Sequence, residues 1–287
     1  MMKIDLHSHT HFSDGHLSPI ELVQRAHNQQ VDVLAITDHD TTAALGVAKA
    51  YQAIQKRPLH IVSGVELSTR WHGFEIHILG LNIDETCPVL QERLLMQGAT
   101  RTERARLMCD KLARIGIEGV FAQAMKKVGS GQITRAHIAQ VLLDRGIVSH
   151  FQQAFTQFLG KDKKAYVTPQ WIDIETAITW IHEARGHAVV AHPGHYDMKT
   201  KWLRRLLADF KTWGGDAMEV THPNMQPTKK ALLADLAREF ELSVAVGSDF
   251  HMPSRWSELG KNLHIAPDLK PIWASWDNMF PQSSVSS

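Results

Sequence analysis

The sequence predicts an α/β fold in which a barrel-like sheet is interrupted by a helical insertion. Short apolar and β-branched segments alternate with helical segments in the first and last parts of the chain, and this alternation favours parallel strands joined by helices. Between about residues 87 and 164 the strand pattern stops, and helical segments broken by glycine replace it. With 287 residues, 44% of them hydrophobic, the chain can bury a sizeable core.

Each element of the first part follows from its residue pattern. Ser18 as N-cap, Pro19 at the first helical position and Glu21 in the first turn predict a helix at 19–30. An alanine-rich segment predicts a second helix at 42–55. Strands are expected at 3–6, 31–36, 60–65 and 74–83.

The remaining elements suggest how the chain is divided. Further strands are expected at 187–191, 217–220 and 242–246. Further helices are expected at 90–115, 120–127, 136–143, 151–159, 173–184 and 228–240. We therefore expect residues 1–88 and 166–287 to form the barrel and residues 89–165 to form a substrate-binding helical insertion. The sequence after residue 265 lacks periodicity, and we expect its end to be mobile.

Composition excludes several classes of protein. Lysine and arginine number 31 against 30 acidic residues, and a net charge of +1 gives no bulk attraction to nucleic acid. No apolar segment reaches the roughly 18 residues that a transmembrane helix needs, and the first residues lack a signal-peptide core. Two cysteines cannot build a disulfide framework. We therefore expect a cytoplasmic protein without a membrane span.

Histidine is the exception to this ordinary composition. The chain has 18 histidines, and imidazoles and carboxylates recur directly after the predicted strands. Because the carboxyl ends of strands meet on one face of an α/β barrel, these side chains are expected to lie together. They are His7, His9, Asp14, His39, Glu66, His192, Asp249 and His251.

The chemistry of these side chains predicts a metal centre. Imidazole and carboxylate ligands without cysteine exclude a soft thiolate site. The candidates exceed what one ion can bind, so the sequence predicts two or three divalent ions. Such clusters serve phosphate-ester hydrolysis, because they generate hydroxide near neutral pH and hold the phosphoryl oxygens.

The motifs together resemble those of the PHP (polymerase and histidinol phosphatase) phosphoesterase family. Within that family the layout is similar to the branch of nucleoside 3′,5′-bisphosphate phosphatases and 5′→3′ oligoribonucleases, and the resemblance extends over almost the whole chain. The motifs that carry it are His7-Ser8-His9, Ser13-Asp14-Gly15, Thr37-Asp38-His39-Asp40, Gly64-Val65-Glu66, Glu75-Ile76-His77, Ala191-His192-Pro193 and Ser248-Asp249-Phe250-His251.

The resemblance implies a distorted seven-stranded β/α barrel, similar to a TIM barrel, that holds three divalent ions. Manganese is the expected metal, with zinc or iron as alternatives. By the resemblance, the first ion would be bound by His7, His9, Glu66 and Asp249, the second by Glu66, His77 and His192, and the third by Asp14, His39 and His251.

Three aspartates stand beside ligand histidines in the sequence. Asp5, Asp38 and Asp40 could orient an imidazole through its second nitrogen. The alternative is that they are ordinary strand-end or turn residues without a role at the metals.

Several residues of the insertion are candidates for binding a second phosphate. Thr134 is expected to cap a helix, which places Arg135 in its first turn, where the helix dipole disfavours a cation. A phosphate bound there would offset this conflict. The resemblance implies that Arg101, Arg104 and Arg135 grip the substrate's second phosphate, and Asp14 is a further candidate substrate contact. A solvated helix face is the alternative for the first two, and it is the interpretation we favour for Arg106.

One position departs from the family pattern. The chain has His192-Pro193-Gly194-His195-Tyr196, whereas the family pattern has arginine in place of His195. His195 could contact phosphate when protonated, protonate the leaving oxygen, or take no part.

The sequence therefore predicts a metal-dependent phosphoesterase with a hydroxide nucleophile. Its expected reactions are removal of the 3′-phosphate of nucleoside 3′,5′-bisphosphates and release of nucleotides from short 5′-phosphorylated RNA. The alternatives are a small-molecule phosphatase, such as a histidinol phosphatase, and a non-catalytic PHP module that assists a polymerase. No membrane or obligate protein partner is expected.

Overall fold

Seven strands form a nearly closed barrel, as predicted. The structure is a computed structural model in which residues 2–254 and 257–276 are described. The sheet order is β1-β2-β3-β4-β6-β7-β8, and β5 pairs only with β3. A bridge between Ser8 and Phe250 brings the first and last strands together. The strands are β1 (Ile4–Asp5), β2 (Val33–Ile36), β3 (His60–Trp71), β4 (Phe74–Leu81), β5 (Ile172–Asp173), β6 (His187–Val190), β7 (Ala217–Thr221) and β8 (Ser243–Val246).

Two of the helices, α1 (Pro19–Asn28) and α5 (Arg135–Asp144), begin at the caps that the sequence predicts. The Ser18 hydroxyl accepts a hydrogen bond from the backbone N–H of Glu21 at 3.2 Å, and the Thr134 hydroxyl accepts one from Ala136 at 3.2 Å, as the cap prediction required. The helices are α1 (Pro19–Asn28), α2 (Ala43–Ala53), α3 (Pro88–Ala113), α4 (Val120–Val128), α5 (Arg135–Asp144), α6 (Phe151–Ala154), α7 (Ile174–Glu183), α8 (Thr200–Thr212) and α9 (Pro227–Glu239).

The sequence analysis missed α8. Four buried apolar residues recur on it at helical spacing: Leu203, Leu206, Leu207 and Phe210. This spacing is the usual signal of an amphipathic helix packed on a core, so the sequence contains enough information to predict α8.

The expectation of parallel strands is wrong around β4. That strand runs antiparallel to both β3 and β6. A two-residue turn joins it to β3, and both turn residues, His72 and Gly73, have positive φ, as a tight hairpin with right-handed twist requires. The strand β3 also continues to Trp71, well past the predicted end, because the hairpin gives it a partner along its whole length.

The barrel and the segment that follows β4 bury separate apolar cores. Helices pack around the barrel, and the segment from Ala105 to Ala165 buries a cluster of its own. The helix α3 joins the two cores, since Leu90 and Leu94 pack on the barrel and Met108 and Leu112 pack in the other cluster. The proposed division at residues 88 and 165 stays a prediction.

Two further expectations concern a membrane span and the C-terminal end of the chain. No helix in the described ranges is long and apolar enough to cross a membrane. The expected mobility of the C-terminal end concerns residues 277–287, which lie outside the described residues.

Candidate metal centre and adjoining cavity

The barrel brings the candidate ligands to one edge. His7 and His9 follow β1, His39 follows β2, and Asp249 follows β8. Three non-glycine residues at these strand ends have positive φ: Asp40 at 52°, His192 at 31° and Asp249 at 49°. Aspartate and histidine are among the residue types that adopt this backbone most often.

Glu66 lies at the centre of the cluster, buried in the middle of β3. Its Oε1 is 2.9 Å from His77 Nδ1 and 3.0 Å from His192 Nε2. Its Oε2 is 3.2 Å from His9 Nε2 and 3.1 Å from His39 Nδ1. The two oxygens of one carboxylate therefore face different imidazoles, which is the arrangement expected of a residue shared between ions.

All nine predicted ligands lie in this cluster. The cluster contains three sets of candidate ligands. Within each set, the ligand atoms all lie within 4.8 Å of one another. They are His7, His9, Glu66 and Asp249; His39, Glu66 and His77; and His9, Asp14, His39 and His251.

The first of these sets is the one that the resemblance implied for the first ion. In the other two, His39 accompanies Glu66 and His77, and His9 joins the third set. His192 contacts Glu66 at the same oxygen as His77, so it also lies beside the second set.

The charges of the cluster are strongly coupled. Burial alone would raise the pKa of Glu66, but the neighbouring rings of His39, His77 and His7 hold it well below its usual value. The pKa of Asp14 is likewise lowered, against burial, by His39 and His251. The carboxylates are therefore ionised without any added cation.

The cluster has donor atoms that the protein itself does not satisfy. Asp14 Oδ1, His39 Nδ1 and Glu66 Oε2 are buried and have no hydrogen-bond partner among the residues described. Oxygen and imidazole nitrogen atoms that converge in this way suit a divalent cation. Neither cysteine belongs to these sets, so the exclusion of a thiolate site stands.

Glu219 is a member of the site that the sequence analysis missed. It lies on β7, and its Oε1 and Oε2 are 3.1 and 3.2 Å from His7 Nδ1. Its Oε2 also accepts a hydrogen bond from the backbone N–H of His192 at 2.5 Å. One carboxylate thus orients a ligand ring and fixes the strand end that carries a second ligand. The available signal was a glutamate within an otherwise apolar strand.

Gly247 makes this contact possible. A Cβ atom at this position would lie 2.3 Å from Glu219 Oε1 and 2.3 Å from His7 Cβ. Any larger residue would therefore separate the carboxylate from the ring.

The three aspartates proposed to orient imidazoles act differently. Asp5 accepts hydrogen bonds from the backbone N–H groups of Ser248 and Gly260, both at 2.8 Å. Asp38 accepts from the Ser13 hydroxyl at 2.6 Å, and that hydroxyl is 3.3 Å from His9 Nδ1. These two aspartates hold the loops that carry ligands, and neither contacts a ring directly.

Asp40 connects the barrel to the insertion instead. It accepts a hydrogen bond from the backbone N–H of Ser68 at 3.0 Å and pairs with Arg101, whose Nε is 3.0 Å from Asp40 Oδ2. Arg101 also donates to the Ser68 hydroxyl at 2.5 Å. Both charged groups are buried.

A cavity extends from the cluster to the insertion. Its barrel end is lined by Asp14, His39 and His77, and its other end by Arg101, Arg104 and Arg135. The structure therefore brings the three arginines and the cluster to the walls of one cavity, although they come from distant parts of the chain.

Arg104 is held on several sides. Its Nε donates to the Val167 carbonyl at 3.0 Å, and its guanidinium lies 5.4 Å from the ring of Trp171. Its Nη atoms donate to both oxygens of Glu75 at 2.9 and 3.1 Å. Arg104 and Arg135 hold the pKa of Glu75 at about 2, against the effect of burial.

Arg135 is the more exposed of the two guanidinium groups at this wall. It stands at the first position of α5, and its nearest carboxylate oxygen, in Glu75, is 3.5 Å away. By contrast, Arg106 points outward and pairs with Glu103 and Asp110, as expected for a solvated helix face.

His195 does not line the cavity. Its ring lies 3.9 Å from that of His222 and 5.7 Å from that of His192. Burial and the neighbouring rings lower the pKa of His195 to about 4, so the imidazole is neutral near pH 7. A cationic contact with phosphate is therefore not favoured at neutral pH.

Known proteins resemble the chain over nearly its whole length. The family model of the PHP domain matches residues 5–186. A 5′-3′ exoribonuclease of Haemophilus influenzae is 47% identical over 94% of this chain and 98% of its own length. A 3′,5′-nucleoside bisphosphate phosphatase of Chromobacterium violaceum is 39% identical over 95% of this chain and 96% of its own. A solved structure from C. violaceum, described as an amidohydrolase with bound sulfate and no metal, has a TM-score of 0.88, 38% identity and 95% coverage of both chains.

Replacing Glu219 should weaken metal binding without unfolding the protein. Glu219→Gln removes the charge that orients His7, and losses of such supporting contacts lower metal affinity by about ten- to a hundred-fold. Competition with a metal-binding dye measures the affinity. Glu239→Gln, an exposed glutamate of α9 paired with Arg204, is the matched control. Equal affinities in the two variants would contradict the assignment.

Metal loading should release protons. Burial alone would lower the pKa of His251, but Asp14 and Asp249 raise it to about 10, so this ring is protonated at neutral pH. A cation that binds there must displace the proton, and affinity should increase as the pH is raised from about 6 to about 8. Calorimetry with manganese in two buffers of different ionisation enthalpy measures the released protons. Identical heats in both buffers would show that none are released.

Proposed function

We propose that this chain, which belongs to the PHP-domain family, is a metal-dependent phosphoesterase for substrates that carry two phosphates. It would remove the 3′-phosphate of nucleoside 3′,5′-bisphosphates and release nucleotides from the 5′ end of short 5′-phosphorylated RNA. The observation that carries this proposal is the single cavity with a metal-ligand cluster at one end and arginines at the other. The two free cysteines suit a reducing compartment, so we place the enzyme in the cytoplasm.

The cluster would hold three divalent ions, with manganese as the expected metal. Mixed imidazole and carboxylate donors suit manganese, zinc or iron(II). Glu66 would be shared between ions, because its two oxygens face different imidazoles. When bound, such ions lower the pKa of water and neutralise charge on the phosphoryl oxygens.

The arginines would bind the phosphate that is not cleaved. Arg135 has room to donate to a phosphate, since it is partly exposed and its contact with Glu75 is long. Arg104 retains an N–H on each Nη atom beyond those donated to Glu75. The N-terminus of α5, capped by Thr134, adds its partial positive charge.

The two proposed substrates require the same bond to break. In a nucleoside 3′,5′-bisphosphate, the bond between phosphorus and the 3′ oxygen breaks and inorganic phosphate is released. In RNA the same bond breaks at the first linkage, and the phosphate stays on the downstream nucleotide. A fixed distance between the arginines and the cluster would therefore select the same ester in both. The role of His195, whether phosphate contact, protonation of the leaving oxygen or none, stays a prediction.

The two alternatives are less well supported. A small substrate with one phosphate would leave Arg104 and Arg135 without a role. A non-catalytic module would be free to lose metal ligands, whereas eight of the candidates fall in sets of converging ligand atoms and His192 lies beside Glu66. The names of the relatives, an exoribonuclease and a bisphosphate phosphatase, agree with the main proposal.

A phosphate-release screen tests the function directly. Manganese-loaded protein is incubated with adenosine 3′,5′-bisphosphate, a 5′-phosphorylated oligoribonucleotide, AMP and histidinol phosphate, and phosphate or AMP release is measured. We expect turnover of the first two and little turnover of the others. Faster hydrolysis of histidinol phosphate than of the bisphosphate would overturn the proposal.

Removing Arg135 should impair only substrates with a second phosphate. A charge-assisted contact with phosphate corresponds to about ten- to a hundred-fold in kcat/KM, and Arg135→Ala should lose that factor on the bisphosphate. Hydrolysis of p-nitrophenyl phosphate should change little, because the cluster is untouched.

Arg145→Ala is the control for this comparison, since Arg145 is exposed and caps the other end of the same helix. An equal loss of Arg135→Ala on both substrates would indicate a general structural role for Arg135 instead of phosphate binding.

A further inference from the structure

Glu75 is a carboxylate in the wall that would bind phosphate. It lies on β4 two residues before His77, so both side chains are on the same side of the strand and both line the cavity. Its oxygens contact Arg104 in a bidentate pair at 2.9 and 3.1 Å, and Arg135 Nη1 is 3.5 Å from Oε1. The sequence analysis quoted this residue in a motif but assigned it no role.

A carboxylate in this place works against anion binding. Phosphate oxygens that approach Arg104 and Arg135 also approach the Glu75 oxygens, and like charges repel. Fixing Arg104 does not by itself require the carboxylate, because the Val167 carbonyl and the rings of Trp171 and Tyr166 also hold that guanidinium. The repulsion therefore calls for a functional explanation.

The charges at this end of the cavity leave a small positive excess. Three guanidinium groups face two carboxylates, because Asp40 neutralises Arg101 and Glu75 lies between Arg104 and Arg135. One positive charge in excess suits a single terminal phosphate. A phosphate chain would add negative charge beside Glu75 with no further cation to receive it.

We propose that Glu75 determines specificity for a single terminal phosphate and rejects nucleotides or RNA that carry a 5′-diphosphate or 5′-triphosphate. The Glu75 carboxylate thus selects, by repulsion, among substrates that would all fit the metal-ligand cluster. This inference rests on the proposed function, because it assigns the arginine wall to the 5′-phosphate.

Substrates that differ only at the 5′ end test the inference. The manganese-loaded protein hydrolyses one short RNA bearing either a 5′-monophosphate or a 5′-triphosphate, at RNA concentrations far below that of the metal, so chelation has no effect. Wild type should favour the monophosphate. Glu75→Gln should reduce this preference by about tenfold or more, because the repulsion is gone while the shape is kept.

Two further variants separate charge from structure. Glu75→Asp keeps the charge and should keep the preference, even if its overall rate falls. Glu103→Gln removes an exposed glutamate that also pairs bidentately with an arginine, Arg106, and should match wild type. If Glu75→Gln does not fold, inhibition of wild type supplies the test: AMP should inhibit at least about tenfold better than ADP.

The outcomes distinguish this inference from the proposed function. If wild type hydrolyses neither RNA nor the bisphosphate, the proposed function fails. If it hydrolyses the monophosphorylated RNA but Glu75→Gln keeps the wild-type preference, or if wild type accepts both 5′ ends equally, the role of Glu75 is wrong and the function stands.

Discussion

The ionised, fully buried carboxylate of Glu66 is the constraint on which the active edge of the barrel depends. A buried charge without partners is strongly destabilising, and Glu66 has imidazoles around both oxygens. Three of these rings, His9, His39 and His192, come from segments far apart in the chain, so the charge is compensated only when the barrel is assembled. The cluster is therefore a consequence of the fold. It also makes the closure of the barrel at this edge important, because closure brings the compensating rings to the carboxylate.

The antiparallel hairpin of β3 and β4 changes how residues reach the cavity. In a wholly parallel barrel each strand delivers residues to the site mainly from its end. The reversed strand β4 lies along the cavity instead, and alternate residues on one side of it, Glu75 and His77, reach the arginine wall and the cluster. One strand thus carries a residue that contacts the arginines and a residue of the metal-ligand cluster.

The helix α3 supplies the opposite wall. Its first turns pack on the barrel and its last turns in the core of the insertion, while Arg101 and Arg104 lie between them. Their partners, Asp40 and Glu75, belong to the barrel. Ion pairs therefore join the two parts along the cavity that both of them line.

The sequence by itself determined the barrel-like fold, the helix caps at Ser18 and Thr134, and eight of the clustered residues, because these follow from local patterns and from residues placed at strand ends. His77, inside β4, was implied only by the family resemblance. The sequence did not determine the direction of β4. The alternation of an apolar strand is the same in either orientation, and only its pairing with neighbouring strands determines whether it is parallel or antiparallel. Nor did it assign the partners of the site: Glu219 lies 212 residues from His7, and Glu75 lies 29 residues from Arg104. Such contacts depend on which side chains the closed barrel brings within a few ångströms, and only the tertiary structure contains that information.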